Sequence, residues 1–444
     1  MKVLVVGVVL GSLAAHAVAQ PAPAPAPAPP SAPAPAPAPP APPPPAPAPA
    51  PAPATPPPTV PLPHDLDPRA IQIHGFASEG AFLSTANDYI GVSSRGSVDL
   101  FEAGINFSKE VTDNLRVGFQ LYGRDVGHFR DLPPRLDWAY FDYRWKPWLG
   151  LRGGIIKMPF GLYNEYEDVD SARLSILLPQ SVYPIRNRSA LLAQTGFALY
   201  GNRSLGSAGD LDYQAWLGTL DIPENALILS GATLDDIDTK YVTGAQVFWN
   251  TPVEGLRVGG TFLRTSIDFD ITLDPATVQA LVAAGLVPAD FDGRVVIAQR
   301  PDQLWIGSAE YTHGDWLFAA EYSRWKKHQE TTLPDLIPTF DEDGERFYGM
   351  VARRLSPAVA VGGYYSVFDA DAHDRGGHDA TKFPEPFYAF QRDLAVTARF
   401  DVNDHWLWKV EAHFIDGVAD LDLTLNPSPE RYWGLFLVKT TVTF

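Results

Sequence analysis

The chain is predicted to be all-β, a transmembrane antiparallel β-barrel of about sixteen strands with long extracellular loops and short periplasmic turns. Three observations predict it. The closing stretch puts Tyr432, Gly434, Phe436, Val438, Thr440, Val442 and Phe444 on one face and Lys439, Thr441 and Thr443 on the other, the period of a strand. Downstream of the N-terminus, no apolar run approaches the roughly 18 residues that a membrane-crossing helix needs. Trp138, Trp145, Trp148, Trp249, Trp316, Trp325, Trp406, Trp408 and Trp433 fall at predicted strand ends or beside turns, where an interfacial aromatic girdle lies. A strand with one face for lipid and one for water leaves unpaired backbone groups that each cost several kcal/mol in a bilayer, so such strands must close into a barrel.

Composition bounds the function. The 444 residues include no cysteine, which excludes a lipid-anchored N-terminal cysteine and a disulfide framework. The net charge of −18 argues against nucleic acid, whose binders carry a basic face. That acidity either keeps exposed loops soluble or takes part in selecting ions.

Taken in order, residues 1–19 read as a signal peptide: Lys2, the apolar Val3 to Leu13, then Ala17-Val18-Ala19 before Gln20. Residues 20–64 form a spacer, almost purely Pro and Ala from Pro21 to Pro63, which builds neither helix ladder nor core. As polyproline II at about 3.1 Å per residue it reaches on the order of 130 Å. It is either a periplasmic tether that reaches the cell wall or a leader without a defined role. Residues 65–444 read as the barrel. Its strands are expected near Ile71 to Phe82, Val98 to Ser108, Leu115 to Arg124, Arg135 to Trp145, Leu149 to Lys157, Gln194 to Tyr200, Leu211 to Thr219 and Tyr241 to Trp249. The second half follows near Leu256 to Ser266, Gln303 to Tyr311, Trp316 to Trp325, Arg346 to Arg354, Val359 to Phe368, Arg392 to Phe400, Trp406 to Phe414 and Tyr432 to Phe444.

Short turns are expected at Thr112-Asp113-Asn114, Lys146-Pro147, Gly206 to Asp210, Pro252 to Gly255, His313-Gly314-Asp315, Ser356-Pro357 and Asn403-Asp404, all rich in turn formers. By the barrel rule they face the periplasm, with both termini, and the other eight connections are long and face outward. In Leu115 to Arg124, the apolar Leu115, Val117, Phe119 and Leu121 alternate with Arg116, Gly118, Gln120, Tyr122 and Arg124. In Trp408 to Phe414, Trp408, Val410, Ala412 and Phe414 alternate with Lys409, Glu411 and His413.

Residues 158–193 form the candidate constriction loop. Its acids come first, Glu165, Glu167, Asp168 and Asp170, and its bases follow, Arg173, Arg186 and Arg188. Folded into the lumen, the loop narrows the channel and sets these charges against the wall residues His74, Arg116, Arg124, Arg152 and Lys157. As an external loop its charges are merely solvated. Its size and its Pro159-Phe160-Gly161 bend favour packing inward.

The signal segment, roughly sixteen strands, long third loop and terminal Phe444 together resemble trimeric outer-membrane porins of Gram-negative bacteria. The run Gly154 to Gly161, with Lys157 and Pro159-Phe160-Gly161 after the fifth strand, is similar to the phosphate-selective porin O and P family. The resemblance implies a homotrimer in contact with outer-membrane lipid and lipopolysaccharide, passing small anions over a ladder of lumenal bases. Arg116, Arg124, Arg135, Arg152, Arg392, Arg399, Lys409 and Lys439 are the candidates for that ladder. Glu102, Asp137, Glu321 and Glu411 also read as inward, so the residues themselves point to a general passive channel for small ionic or polar solutes.

Other clusters read more blandly. His373, Asp374, His378 and Asp379 lack a fixed scaffold for a metal, so no metal site is predicted. Asp235, Asp236 and Asp238, and Asp341, Glu342, Asp343 and Glu345, read as solvated loop acids or as calcium bridges to lipopolysaccharide. Asp274-Pro275 before Ala276 to Ala284 and Gly285 reads as a short capped helix whose Val278, Leu281 and Val282 pack on a neighbouring subunit or on the rim. No Gly-x-Ser-x-Gly elbow, His-Glu-x-x-His site, nucleotide loop or redox motif occurs, so neither enzyme activity nor a cofactor is predicted. A Ser-His pair on the outer wall, using His405 or His413, is the one hydrolase arrangement that such motifs do not reach.

Overall fold

The structure, a computed structural model, describes residues 70–444 except 128, 223–231, 335–338 and 424. The predicted signal peptide and Pro/Ala spacer lie outside the described residues. Sixteen strands form a single closed antiparallel barrel in which each pairs with its sequence neighbours. They are β1(Gln72–Ser84), β2(Leu100–Thr112), β3(Leu115–Val126), β4(Phe129–Lys146), β5(Leu149–Lys157), β6(Ala193–Ser204), β7(Asp210–Thr219) and β8(Ala232–Asn250). Then come β9(Leu256–Leu273), β10(Arg294–His313), β11(Trp316–Thr331), β12(Phe340–Ser356), β13(Val359–Asp369), β14(Phe390–Asn403), β15(Trp406–Gly417) and β16(Tyr432–Thr443).

The barrel closes where β1 meets β16 in antiparallel register from Phe76↔Thr443 to Ser84↔Leu435. At the seam the amide of Gly75 donates to Phe444 O and that of Phe444 to Gly75 O, each at 3.0 Å. Closure leaves no free sheet edge, as a bilayer requires. The predicted two-faced pattern is present. In β16, Phe436, Val442 and the terminal Phe444 are exposed on the outer wall, while Lys439 and Thr441 are buried within. An outer belt of Phe141, Phe197, Leu199, Leu217, Trp305, Phe318, Leu394, Val410 and Phe414 continues around the barrel.

All seven expected short turns join the strands they were expected to join. Three expectations need correction. The second long connection is absent, because β3 runs to Val126 and β4 begins at Phe129. Strands β8 to β12 are longer than expected, at 16 to 20 residues. Asp235, Asp236, Asp238, Asp341, Glu342, Asp343 and Glu345 are therefore strand residues rather than loop acids. At about 3.3 Å per residue and a tilt near 40°, a strand of β10's length rises about 50 Å, twice the roughly 25 Å apolar band. This side of the barrel stands well above the membrane, whereas β5, with nine residues, rises only about 23 Å, roughly the height of the band.

The third correction concerns the tryptophans. Trp145, Trp148, Trp249, Trp316, Trp406 and Trp408 are exposed outward near the short turns, as a girdle requires. Trp325 and Trp433 are buried inside, and Trp138 faces inward over Gly118. Sitting near a strand end fixes height, but strand parity fixes the side. The predicted helix is present as α2(Pro275–Ala283), after the one-turn α1(Arg188–Leu191), with the Asp274 side chain accepting from the Thr277 amide at 2.7 Å. Val278, Leu281 and Val282 pack on the chain's own Ile271, Leu273, Val295 and Ile297, so they belong to the rim.

Candidate channel constriction

The β5–β6 ladder ends at Lys157↔Ala193, and residues 158–192 turn into the lumen. Pro159 has no N–H to extend the ladder. Gly161, at φ 61°, turns the chain, and a Cβ there would lie 2.2 Å from Tyr183 Oη. Met158, Phe160 and Leu162 then sink into an apolar cluster with Phe248, Leu263, Leu304 and Ile306 from the inner faces of β8 to β10. Asn164, buried, staples the two ends of the loop by donating from Nδ2 to Met158 O and Leu191 O at 3.0 Å each.

From there the loop crosses the barrel. On the middle wall, Glu321 of β11 accepts from the Leu162 amide at 2.9 Å, from Tyr348 Oη at 2.8 Å and from Tyr183 Oη and Ser308 Oγ. Ser181 donates to Phe347 O at 3.2 Å and its hydroxyl meets Ser366 Oγ at 2.8 Å. On the far wall, the two Glu411 oxygens accept from the amides of Ile176 and Leu177 at 2.7 and 2.9 Å. Lys409 donates to Asp170 O at 2.8 Å and Ser175 O at 3.1 Å, and Thr441 Oγ1 donates to Asp170 at 2.8 Å. The loop-end connections close over this arm: Tyr89 Oη donates to Asp420 at 3.0 Å, and Arg186 pairs with the same Asp420 at 3.7 Å.

The loop's acids and bases meet the wall as charge pairs. Asp170 lies 2.7 Å from Lys439, 3.1 Å from Arg173 and 3.4 Å from Lys409. Lys157 pairs with Asp168, which also accepts from Gln120 at 2.6 Å. Arg188 lies 3.2 Å from Asp137 and 4.0 Å from Glu167, with its guanidinium 4.2 Å from the Tyr122 ring centre. Arg152 lies 3.0 Å from Asp142 and 3.9 Å from Glu165 and covers the Tyr200 ring. Arg124 is buried beside Glu167, Arg173 and Arg188 around a cavity of about 30 Å³, room for one water.

Burial and charge divide the four loop acids. Burial raises Glu165 and Glu167 above the ordinary glutamate value, against Arg152 and Arg188 respectively. Burial also opposes ionisation at Asp168 and Asp170, but Lys157 and Arg188 outweigh it at the first, and Lys439, Lys409 and Arg173 hold the second well below the usual range.

The inward loop and the wall against it thus gather Arg124, Arg152, Lys157, Glu165, Glu167, Asp168, Asp170, Arg173, Arg186 and Arg188 of the candidate set. Two expected members lie elsewhere. His74 is exposed on β1 near the turn end, opposite Asn106, and Arg116 is exposed one residue into β3, donating to Ser108 Oγ at 3.0 Å. Both face inward, but at the turn-end mouth, because height along the strand separates them from the loop. Arg392 also differs: it takes the outward parity of β14 and pairs with Asp369 at the loop-end rim. His413 lies inside, hydrogen-bonded to Asp393 at 2.9 Å and Glu411 at 3.0 Å, and so forms no outer-wall pair with serine. Among the described residues no three His, Cys, Asp or Glu group to hold a metal ion, the His373 to Asp379 cluster included.

No family model matches the chain, and no curated protein does. Solved structures do. Salmonella typhi OmpF in complex with daunomycin superposes with a TM-score of 0.53 at 11% identity, covering 84% of this chain and 97% of that one. The anion-selective porin from Comamonas acidovorans gives 0.52 at 10% identity, over 84% and 99%. OmpT of Vibrio cholerae gives 0.51 at 11%, over 84% and 97%. The likeness is one of fold: these are outer-membrane porins, and the barrel described above is built like theirs.

Proposed function

We propose that the chain is a passive channel in the outer membrane of a Gram-negative bacterium, passing small hydrophilic solutes and ions. The observation that carries this is the inward loop, held inside a closed barrel with its acids and bases matched against charged wall residues, the arrangement by which pores set size and charge preference. Because Asp170, Asp168, Arg188 and Arg152 each meet opposite charge, the reading is a narrow aperture with weak selectivity. A finer reading, preference for phosphate or another small anion, is favoured by a cavity of about 280 Å³ on the turn side of the loop, whose lining holds Arg173, Arg353, Arg354 and Arg399 and a single acid, Asp315.

The outer belt is the surface for lipid and, toward the loop end, for lipopolysaccharide. Assembly as a homotrimer is supported by Glu79, an exposed carboxylate on the outward parity of β1 between Ala77 and Ala81, which a neighbouring subunit would shield from lipid. The Pro/Ala spacer would extend to the cell wall from the turn end. The test is the reversal potential of the mature protein in a planar bilayer under a potassium chloride gradient, with and without Pro21 to Pro63. A channel conducts in both forms; a structural anchor conducts in neither and loses its envelope role on deletion.

A further inference from the structure

Above the constriction, on the inner wall shared by β10, β11 and β12, four buried oxygens have no hydrogen-bond partner among the described residues: Asp302 Oδ1, Gln329 Oε1 and both carboxylate oxygens of Glu342. Asp302 is 5% exposed, Gln329 3% and the Glu342 side chain 8%. The register brings them together. Glu342 faces Lys327 across the β11–β12 ladder, and Gln329 lies two residues on along the same face of β11. Asp302 sits in the β10 bulge between Gln299 and Gln303, whose β11 partners are Gln329 and Lys326. Lys327 and Glu342 are the charges that act on it.

Neighbouring bases act on Glu342 by charge but make no hydrogen bond to these oxygens. Lys327 Nζ stands 3.5 Å from Glu342 Oε2 and 4.5 Å from the Trp325 ring centre, and Arg346 is stacked between the Trp325 and Phe368 rings at 4.6 and 4.7 Å. Neither donates a hydrogen bond to any of the four. One water supplies two protons, half of what four acceptors need. A single cation serves all of them.

We propose that Asp302, Glu342 and Gln329 form a site for a hard divalent cation of the calcium class on the loop-end lumenal wall, tying β10, β11 and β12 together where they rise above the membrane. The donors are all oxygens, two carboxylates and an amide carbonyl, which select calcium or magnesium over the softer metals. Two carboxylates with bases close by place the site in the weak class that fills only at the millimolar cation levels found outside cells.

The test is luminescence of terbium(III), sensitised through the adjacent Trp325, on the full mature protein in detergent after chelator treatment, followed by displacement with calcium. The expected result is saturable emission displaced by calcium with an apparent Kd on the order of 10⁻⁴ to 10⁻³ M and unaffected by potassium. The paired substitution Asp302→Asn, Glu342→Gln should weaken displacement about 10-fold or more, and Gln329→Leu, a milder change that keeps both carboxylates, should weaken it several-fold. Asp341→Asn with Asp343→Asn, on the outer face of the same strand, should leave it unchanged. Strand circular dichroism confirms that each variant is folded. Absence of calcium-displaceable emission, or equal displacement in the folded Asp302→Asn, Glu342→Gln and Gln329→Leu variants, overturns the proposal.

Discussion

Asp170→Asn is the substitution that probes the far-wall anchor most sharply. The carboxylate is 3% exposed and is the counter-charge for Lys439, Lys409 and Arg173. Removing one partner of a buried ion pair costs about 3–5 kcal/mol, because the remaining charge stays buried without compensation. Asparagine keeps the shape and can still accept from Thr441, so the lower end, about 3 kcal/mol, is the better figure. At about 1.4 kcal/mol per decade, that shifts the balance between the pinned and released arm by roughly two decades. Single-channel recording reads it directly. Asp170→Asn should show larger and noisier current than wild type, and its reversal potential should move toward anions, since Lys409 and Arg173 lose their carboxylate and Lys439 keeps only Glu102. Asp212→Asn at the turn end, where Asn202 and Asn250 are the partners, serves as control and should match wild type. A folded Asp170→Asn barrel with unchanged conductance, noise and reversal potential would refute the anchor.

Glu411→Ala strands the buried amides of Ile176 and Leu177, at about 1–3 kcal/mol each, and should likewise raise conductance in planar bilayers. Gly161→Ala forces a side chain into φ 61° and against Tyr183, which should cost about 1–3 kcal/mol and lower the thermal midpoint of the detergent-solubilised barrel. Acidification should act in two stages. Glu165 and Glu167, raised above the ordinary glutamate value by burial, bind protons more readily when folded, so on acidification they discharge before Asp170 and the reversal potential moves toward anions while the Asp170 anchor holds. Asp170 is depressed, so its stabilisation is full above the ordinary 3.8 and is lost only as pH falls through its lower folded value; current noise should rise there and not before.

Strand alternation carried most of the fold. Where one face meets lipid and the other the lumen, as in β3, β15 and β16, parity was legible residue by residue. It faded above the membrane, where the outer faces of β8 to β12 carry charge, so Asp238 and Asp343 looked like loop residues. It also failed at the β4 bulge opposite Gln120 and Leu121, which lets Asp137 and Asp142 both reach lumenal partners despite their odd spacing. The inward loop was legible from its bend and its charge order, but its partners were not. Parity marked Glu321, Glu411, Lys409 and Lys439 as inward without saying which meets the loop, and Tyr183, Ser181 and Asp420 lie in connections that carry no period. A buried tyrosine beside an inward glutamate becomes visible only when strands distant in sequence are brought to one height.

The central claim is that a closed barrel with a charge-matched inward loop conducts passively. Conductance and reversal potential of the mature protein in a planar bilayer under a potassium chloride gradient test it most directly. The account predicts steady current without any energy source, weak ion selectivity, and a shift toward anions in Asp170→Asn. A folded, inserted barrel that carries no current would contradict it.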